Sequence, residues 1–575
     1  MKSKRWWIVC AAALVVCCGM FIVFGRPVDS GLGRDKDNEF LTGSGITLED
    51  LNADQEENLY KLAKVWGFVK YYHPAVIAGD INWDAELFRV MPRVVEAASP
   101  EAVNQVLYDW LSGFPYEESP TTATDETAVH WYEMEQQFGS ITADLSWISD
   151  RAVWGTDLCA YLEGLSRLEI SDRRNGYAAF SGESPVEIVS FAAEKSASLK
   201  PDDDGVKLLA VFRLWNAFAY YSPYLSLTDG NWDDALRQGI HTMLGAEDQR
   251  AYELALGEMM AKTGDVHVFF TGRNVAMNYY FGENYLPCHC MVLDGRPVVD
   301  AVPPEEESLR PGDVITAVDG VTMTDRIAAL EKVQPVPTPG KYGIWFCYSL
   351  VSAADSTAQV TVERDGNPLT LTVTTREERF VPENPWESGL MEEFADTEGI
   401  IVDLRQYPSE QVLYLLSEYF IPEPRQFAAV DCPDPLRPGN FCRLPFKKSG
   451  AGFSKMMGLS DRDDYPLYEG KIVLLINEFS QSQSETTAMG LRQAPRAVVV
   501  GSPSIGADGD VAEMNLPGRI VVTFSTLGIY TPEGETIQRV GVQPDVFCRP
   551  TVEDLRQGRD ALMETAIDLI LASGT

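Results

Sequence analysis

At 575 residues the chain exceeds what one hydrophobic core organises, so several domains are expected. Its 45% hydrophobic and 23% charged residues are those of a folded globular protein and exclude disorder over any long stretch. Lys and Arg number 47 against 85 Asp and Glu, a net charge of −38 that repels phosphate backbones and excludes nucleic acid as a partner.

Lys2, Lys4 and Arg5 precede an apolar run from Trp6 to Phe24, closed by Arg26. The run approaches the roughly 20 residues that cross a bilayer and exceeds the about 7–15 of a cleaved signal's apolar region. Residues 1–26 are expected to anchor the chain in the cell membrane with its body outside the cytoplasm; cleavage after the run would instead release a secreted protein. Residues 27–47, rich in Gly, Asp and Ser, suit a tether.

The segment 59–87 is echoed by 208–236. Trp66 and Trp215, Tyr71 and Tyr220, Asn82 and Asn231, Trp83 and Trp232 all stand 149 positions apart, the mark of an internal duplication. Each copy carries apolar residues at helical spacing, ends that helix near a proline, and resumes at Asn-Trp-Asp, where the asparagine caps a second helix. This predicts helical repeat A over 48–118, a connecting region over 119–206 and helical repeat B over 207–275, with the repeated aromatics as core. Only the second copy ends in Gly264-Asp265-Val266-His267, so the helical scaffold itself does not require that segment.

Residues 284–377 turn to short β-rich runs separated by Gly and Pro. The stretch LRPGDVITAVDGVTM (309–323) resembles the signature of PDZ domains, modules that capture peptide ends by adding a strand to a sheet edge. A β-rich insert without a peptide groove is the alternative. From 385 to 575 strand and helix patterns alternate: 399–405, then 411–420, 471–478, 484–494 and 497–502, which reads as an α/β domain.

Ten cysteines include three in the apolar run, and the remaining seven cannot all pair. Cys432 and Cys442 flank a Pro-Gly-rich loop and either bridge in an oxidising compartment or stay free. Cys288-His289-Cys290 has no second ligand pair nearby, so no metal site is expected.

The strand over 471–478 delivers the chain to Phe479-Ser480-Gln481-Ser482-Gln483-Ser484-Glu485, where the next helix begins. Unpaired N–H groups and the positive end of a helix suit a nucleophile whose reaction builds up an oxyanion. Three serines before a helix also serve as a plain N-cap. The order NEFSQSQSE, APRAVVVGSPSIGADG and GVQPD resembles the C-terminal-processing, or tail-specific, serine peptidases, a family related to the tricorn protease core. The likeness spans roughly residues 207–575, the PDZ-like insert included.

That resemblance implies a crotonase-like α/β catalytic domain with Ser482 as nucleophile and the N–H of Gln483 as an oxyanion donor. The lysine that serves as base in the family's best-known branch is replaced here by Ala507. The tricorn-like branch uses a histidine upstream of the PDZ module, a place occupied by His267; an imidazole is also the commonest base for a serine. Gln538 stands near where such relatives carry a glutamate that orients the base, and Asp265 is a second candidate orienter. In the loop after Asp403-Leu404-Arg405, Pro408 has no N–H, so Tyr407 or Ser409 must supply the other oxyanion donor. The expected function is an extracytoplasmic serine peptidase acting on peptides or proteins through an acyl-enzyme, without a cofactor. Two alternatives remain: a catalytically inactive peptide- or ligand-binding protein of the same fold, and a helical duplication that docks a partner.

Overall fold

The computed structural model describes residues 31–572 except 118–132, 134, 137–138, 171, 182–185, 196–198, 272–278, 339, 383–390, 395, 409–410, 453–454 and 456–464. The expected anchor lies outside the described residues. Among these, no helix is long and apolar enough to cross a membrane.

Helix α1 (Ala53–Tyr72) starts at Asn52, whose side chain accepts the Gln55 N–H at 3.0 Å while Gln55 accepts the Asn52 N–H at 3.1 Å. It stops at His73, because Pro74 cannot continue the ladder. Helix α2 (Trp83–Val95) is capped by Asn82 and α4 (Trp232–Leu244) by Asn231, as the Asn-Trp-Asp pattern predicts, and α3 (Asp204–Tyr221) is capped by Asp203. A buried indole N–H needs an acceptor. Trp66 Nε1 donates to Trp83 O at 2.9 Å and Trp83 Nε1 to Trp66 O at 2.8 Å; Trp215 and Trp232 make the same exchange at 2.7 and 3.1 Å. The repeated tryptophans therefore staple each helix pair together.

The two copies also hold each other reciprocally. Lys64 pairs with Asp233 at 2.9 Å, and Arg213, which stands at the equivalent place in the second copy, pairs with Asp84, the equivalent of Asp233. Gly67 meets its own counterpart Asn216 at the crossing of α1 and α3, where a Cβ on Gly67 would lie 1.8 Å from Asn216 Oδ1. Buried Lys70 and Glu194, 2.6 Å apart, extend the charge pairing around Asp84 and Arg213.

The segment after His267 forms β1 (Phe269–Thr271), and the β-rich region follows as β2 (His289–Leu293), β3 (Arg296–Ala301), β4 (Val314–Val318), α5 (Met323–Glu331), α6 (Ile344–Leu350), β5 (Thr357–Arg364) and β6 (Asn367–Thr374). The sheet order is β6-β5-β4-β3-β2, antiparallel throughout. Asp294-Gly295, Asp319-Gly320 and Asp365-Gly366 all take positive φ, the backbone that two-residue hairpins require. Helix α6 lies between α5 and β2. Arg326 of α5 donates to Leu350 O at 2.9 Å, and Cys290 of β2 sits 3.6 Å from Cys347 O.

The C-terminal part alternates as expected: β7 (Gly399–Asp403), α7 (Gln411–Phe420), β8 (Lys471–Ile476), α8 (Gln483–Leu491) and β9 (Ala497–Gly501). Two strands not foreseen, β10 (Val511–Leu516) and β11 (Ile520–Ser525), precede β12 (Val546–Phe547). Strands β7, β8, β9 and β12 form a parallel sheet in that order. Its middle strands are nearly continuous apolar runs because helices cover the sheet. The architecture is α/β. Strands β10 and β11 form a separate antiparallel sheet whose third member is β1, so the segment that follows the helical region pairs with residues some 250 positions later. Cys432 and Cys442 face each other, both buried, across the strands Arg425–Pro433 and Phe441–Ser449.

Candidate active site

Strand β8 ends at Ile476 and α8 begins at Gln483, so the chain must reverse within six residues. Ser482 takes the turn at φ 53°, ψ −112°, a left-handed backbone that costs a non-glycine residue about 1–3 kcal/mol and persists only where its surroundings enforce it. The enforcing contacts are visible. The Ser482 N–H donates to Ala507 O at 2.9 Å and to Glu485 Oε2 at 3.1 Å. Glu485 is fully buried and also accepts the N–H groups of Gly506 and Ala507, each at 2.9 Å, and the Ser504 hydroxyl. Burial pushes its carboxyl up to about 7, the Asp508 charge adds to that, and the donors from Ser504, Ala507 and Gly506 oppose it.

Two further serines fix the neighbouring loop. Ser480 Oγ donates to Leu404 O at 2.8 Å and Ser484 Oγ to Gln406 O at 3.2 Å. These bonds hold the stretch after β7 beside the nucleophile turn. Gln406 and Tyr407 consequently line the same cavity as Ser482, with Tyr407 exposed; Ser409 lies outside the described residues. Gln483 opens α8, at the positive end of the helix dipole.

His267 reaches this cavity through the pairing of β1 with β11. The Thr523 hydroxyl donates to His267 O at 2.7 Å, and His267 Nδ1 lies 3.2 Å from Ser525 Oγ at the end of β11. Asp265 accepts the His267 N–H at 3.0 Å, and its Oδ1 stands 3.7 Å from Nδ1. The imidazole is 6% exposed and lines, with Ser482, a cavity of about 1000 Å³. The two side chains share this wall without a hydrogen bond between them. Asp265 and Ser525, the second of which the sequence did not suggest, are thus the polar side chains beside Nδ1. Gln538 is buried, but its amide makes no hydrogen bond to His267 or to any other described residue. The signal for Ser525 is the strand register alone, which continues from Thr523 opposite Phe269.

The far side of the cavity is built by the β-rich region. His289 Nδ1 lies 2.7 Å from Asp300 Oδ1, and its ring meets Phe479 edge-on at 5.2 Å. His289 is therefore held by a carboxylate and an aromatic ring. Among the described residues, no three His, Cys, Asp or Glu side chains gather as metal ligands.

Residues 388–547 match the family model of Peptidase family S41. The likeness to C-terminal-processing serine peptidases is shown over that stretch, which holds Ser482, Ala507 and Gln538; His267 lies before it. A carboxy-terminal-processing protease of Bartonella bacilliformis is 30% identical over 95 residues, 16% of this chain and 22% of that protein. The chain therefore matches about a fifth of that relative's length. Among solved structures, mature CPAF complexed with lactacystin is similar at 14% identity and a TM-score of 0.48, over 64% of this chain and 98% of that one. The photosystem II D1 C-terminal processing protease is similar at 16% identity and a TM-score of 0.35, over 61% and 96%.

Proposed function

We propose that the chain is a serine peptidase that hydrolyses peptide bonds through an acyl-enzyme on Ser482. The observation that carries this is the left-handed backbone of Ser482 at a strand-to-helix turn, in a cavity it shares with His267. Ser482 Oγ attacks the scissile carbonyl carbon and its proton passes to His267. Because Nδ1 faces Ser525 and Asp265, Nε2 is the nitrogen that takes it. The protonated imidazole then gives that proton to the leaving amine as the C–N bond breaks. Water, deprotonated by the same nitrogen, releases the acyl group. The N–H groups of Gln483 and Tyr407 are the proposed oxyanion donors.

In this reading the α/β domain is crotonase-like, the sheet β6 to β2 is a PDZ-like module, and the duplicated helices present His267. Peptide capture between α5 and β2 would require α6 to leave that space. Residues 6–24 are proposed to anchor the protein with its body outside the cytoplasm, which carbonate-resistant fractionation with membranes tests.

A fluorophosphonate probe applied to the full-length protein in detergent tests the chemistry. Labelling that disappears in Ser482→Ala supports the peptidase. A folded wild type that takes no label would favour an inactive binding protein.

A further inference from the structure

Helix α6 has one side in the β-rich core, where Phe346, Cys347 and Leu350 are buried. Its other side leaves Trp345 55% exposed. Trp345 stands on the border of two cavities, the one containing Ser482 and a neighbour of about 290 Å³. Both are bounded by Trp345, by Phe269, itself 40% exposed, and by Gln481, the residue before the nucleophile. The smaller cavity is walled mainly by apolar groups, among them Val266, Val268, Val336, Pro337, Tyr342 and Phe346.

Several polar groups on its wall are already paired. Gln334 donates to Ser349 Oγ at 3.1 Å, Lys341 Nζ lies 3.3 Å from Val540 O, and the Arg379 guanidinium covers the Trp345 ring at 4.9 Å. Among the described residues no carboxylate lines it, in a chain of net charge −38. A basic side chain would therefore meet two cations and no counter-charge. At the lower end of the roughly 300–1000 Å³ of ligand pockets, the volume suits one side chain rather than a length of peptide.

We propose that this cavity is a specificity subsite that takes one large apolar side chain flanking the scissile bond, with Trp345 and Phe269 as its lip. The inference rests on the peptidase reading of Ser482. The segment that fills the space between α5 and β2 thereby also selects substrate at the reaction centre.

Two sets of peptides, identical except for Phe, Leu, Ala, Lys or Glu on either side of the scissile bond, test it with the full-length protein. The wild type should cleave the Phe or Leu peptide about 10-fold or more faster than the Ala peptide in kcat/KM, the scale on which an apolar pocket discriminates by size. Val336→Trp, which fills the cavity, should bring that ratio close to one by slowing cleavage of the Phe and Leu peptides most. Trp345→Ala, which opens the lip, should lower the ratio by a smaller factor. An unchanged ratio in a labelled, active Val336→Trp protein, or a wild-type preference for Lys or Glu, would overturn the subsite and leave the peptidase standing. Loss of all labelling and turnover in the wild type would overturn both.

Discussion

The Ser482 N–H rests on the carbonyl of Ala507 at 2.9 Å, so the residue that replaces the expected lysine is in direct contact with the nucleophile's backbone. An alanine there cannot exchange a proton, but its peptide group binds the turn from both ends: its carbonyl holds Ser482 and its N–H holds Glu485. The base has to come from another part of the chain. His267 lines the same cavity from the turn just before β1, the strand that pairs with β11.

His267→Ala should lower peptide turnover about 10²–10⁴-fold, the contribution of a positioned base. KM and Ser482-dependent folding, followed by circular dichroism, should change little. Undiminished turnover would assign the base elsewhere.

Asp265 and Gln538 separate two models of how the base is oriented. Asp265→Asn keeps the side-chain shape but weakens the partner of His267, and kcat should fall by about 10-fold or more with KM nearly constant. Gln538→Met removes a buried amide without a hydrogen bond among the described residues, and should leave kcat unchanged while stability holds or rises by about 1 kcal/mol. A large loss of kcat in Gln538→Met, with Asp265→Asn silent, would reverse this assignment.

Glu485 makes stability depend on pH. Burial raises its carboxyl to about 7 in the folded chain, above the ordinary glutamate range. A raised value means that the folded state holds the proton more tightly. The associated stability is present below about pH 4.5 and is lost as pH rises through about 7, up to about 3 kcal/mol. Urea midpoints measured at pH 5 and pH 7.5 should therefore fall in the wild type and fall less in Glu485→Gln, whose amide does not ionise. Equal slopes in the two proteins would rule the assignment out. The variant should also turn over peptide more slowly, because an amide nitrogen cannot accept the N–H groups that shape the Ser482 turn.

Gly67→Ala should cost several kcal/mol, measured as a lowered Tm, because its Cβ would overlap Asn216. Asn216→Ala alone should cost less, through the bond from Asn216 Nδ2 to Ala63 O at 3.1 Å. The double variant should recover part of the loss, with a coupling of about 1–3 kcal/mol. Simple additivity would show that the two copies do not meet at this pair.

Much of the molecule was legible in the residues. The 149-residue repeat announced two helical pairs, because buried tryptophans with partnered indoles recur only where the same packing recurs. Alternating apolar runs in 399–502 located the parallel strands, since strands covered by helices must be apolar along their length. The short runs separated by Gly and Pro marked 284–377 as β-rich, and there the Asp-Gly pairs take the positive φ of its hairpins.

What no local pattern contained was the company each residue keeps across the fold. The sheet that joins β1 to β11 brings His267 to Ser525, residues 258 apart, and that pairing is long-range hydrogen bonding without a trace in either segment alone. Gln538 looked equivalent to an orienting group by position, yet its amide makes no bond to His267, and Asp265 and Ser525 stand there instead. The resemblance to PDZ domains likewise did not show that α6 packs between α5 and β2, since which element covers a sheet edge depends on packing area and not on the edge strand's own residues. The sequence by itself determined the helices and most strands; tertiary structure decided the company of His267, the cavity it shares with Ser482 and the neighbouring cavity, because those arise only where distant segments exclude water together.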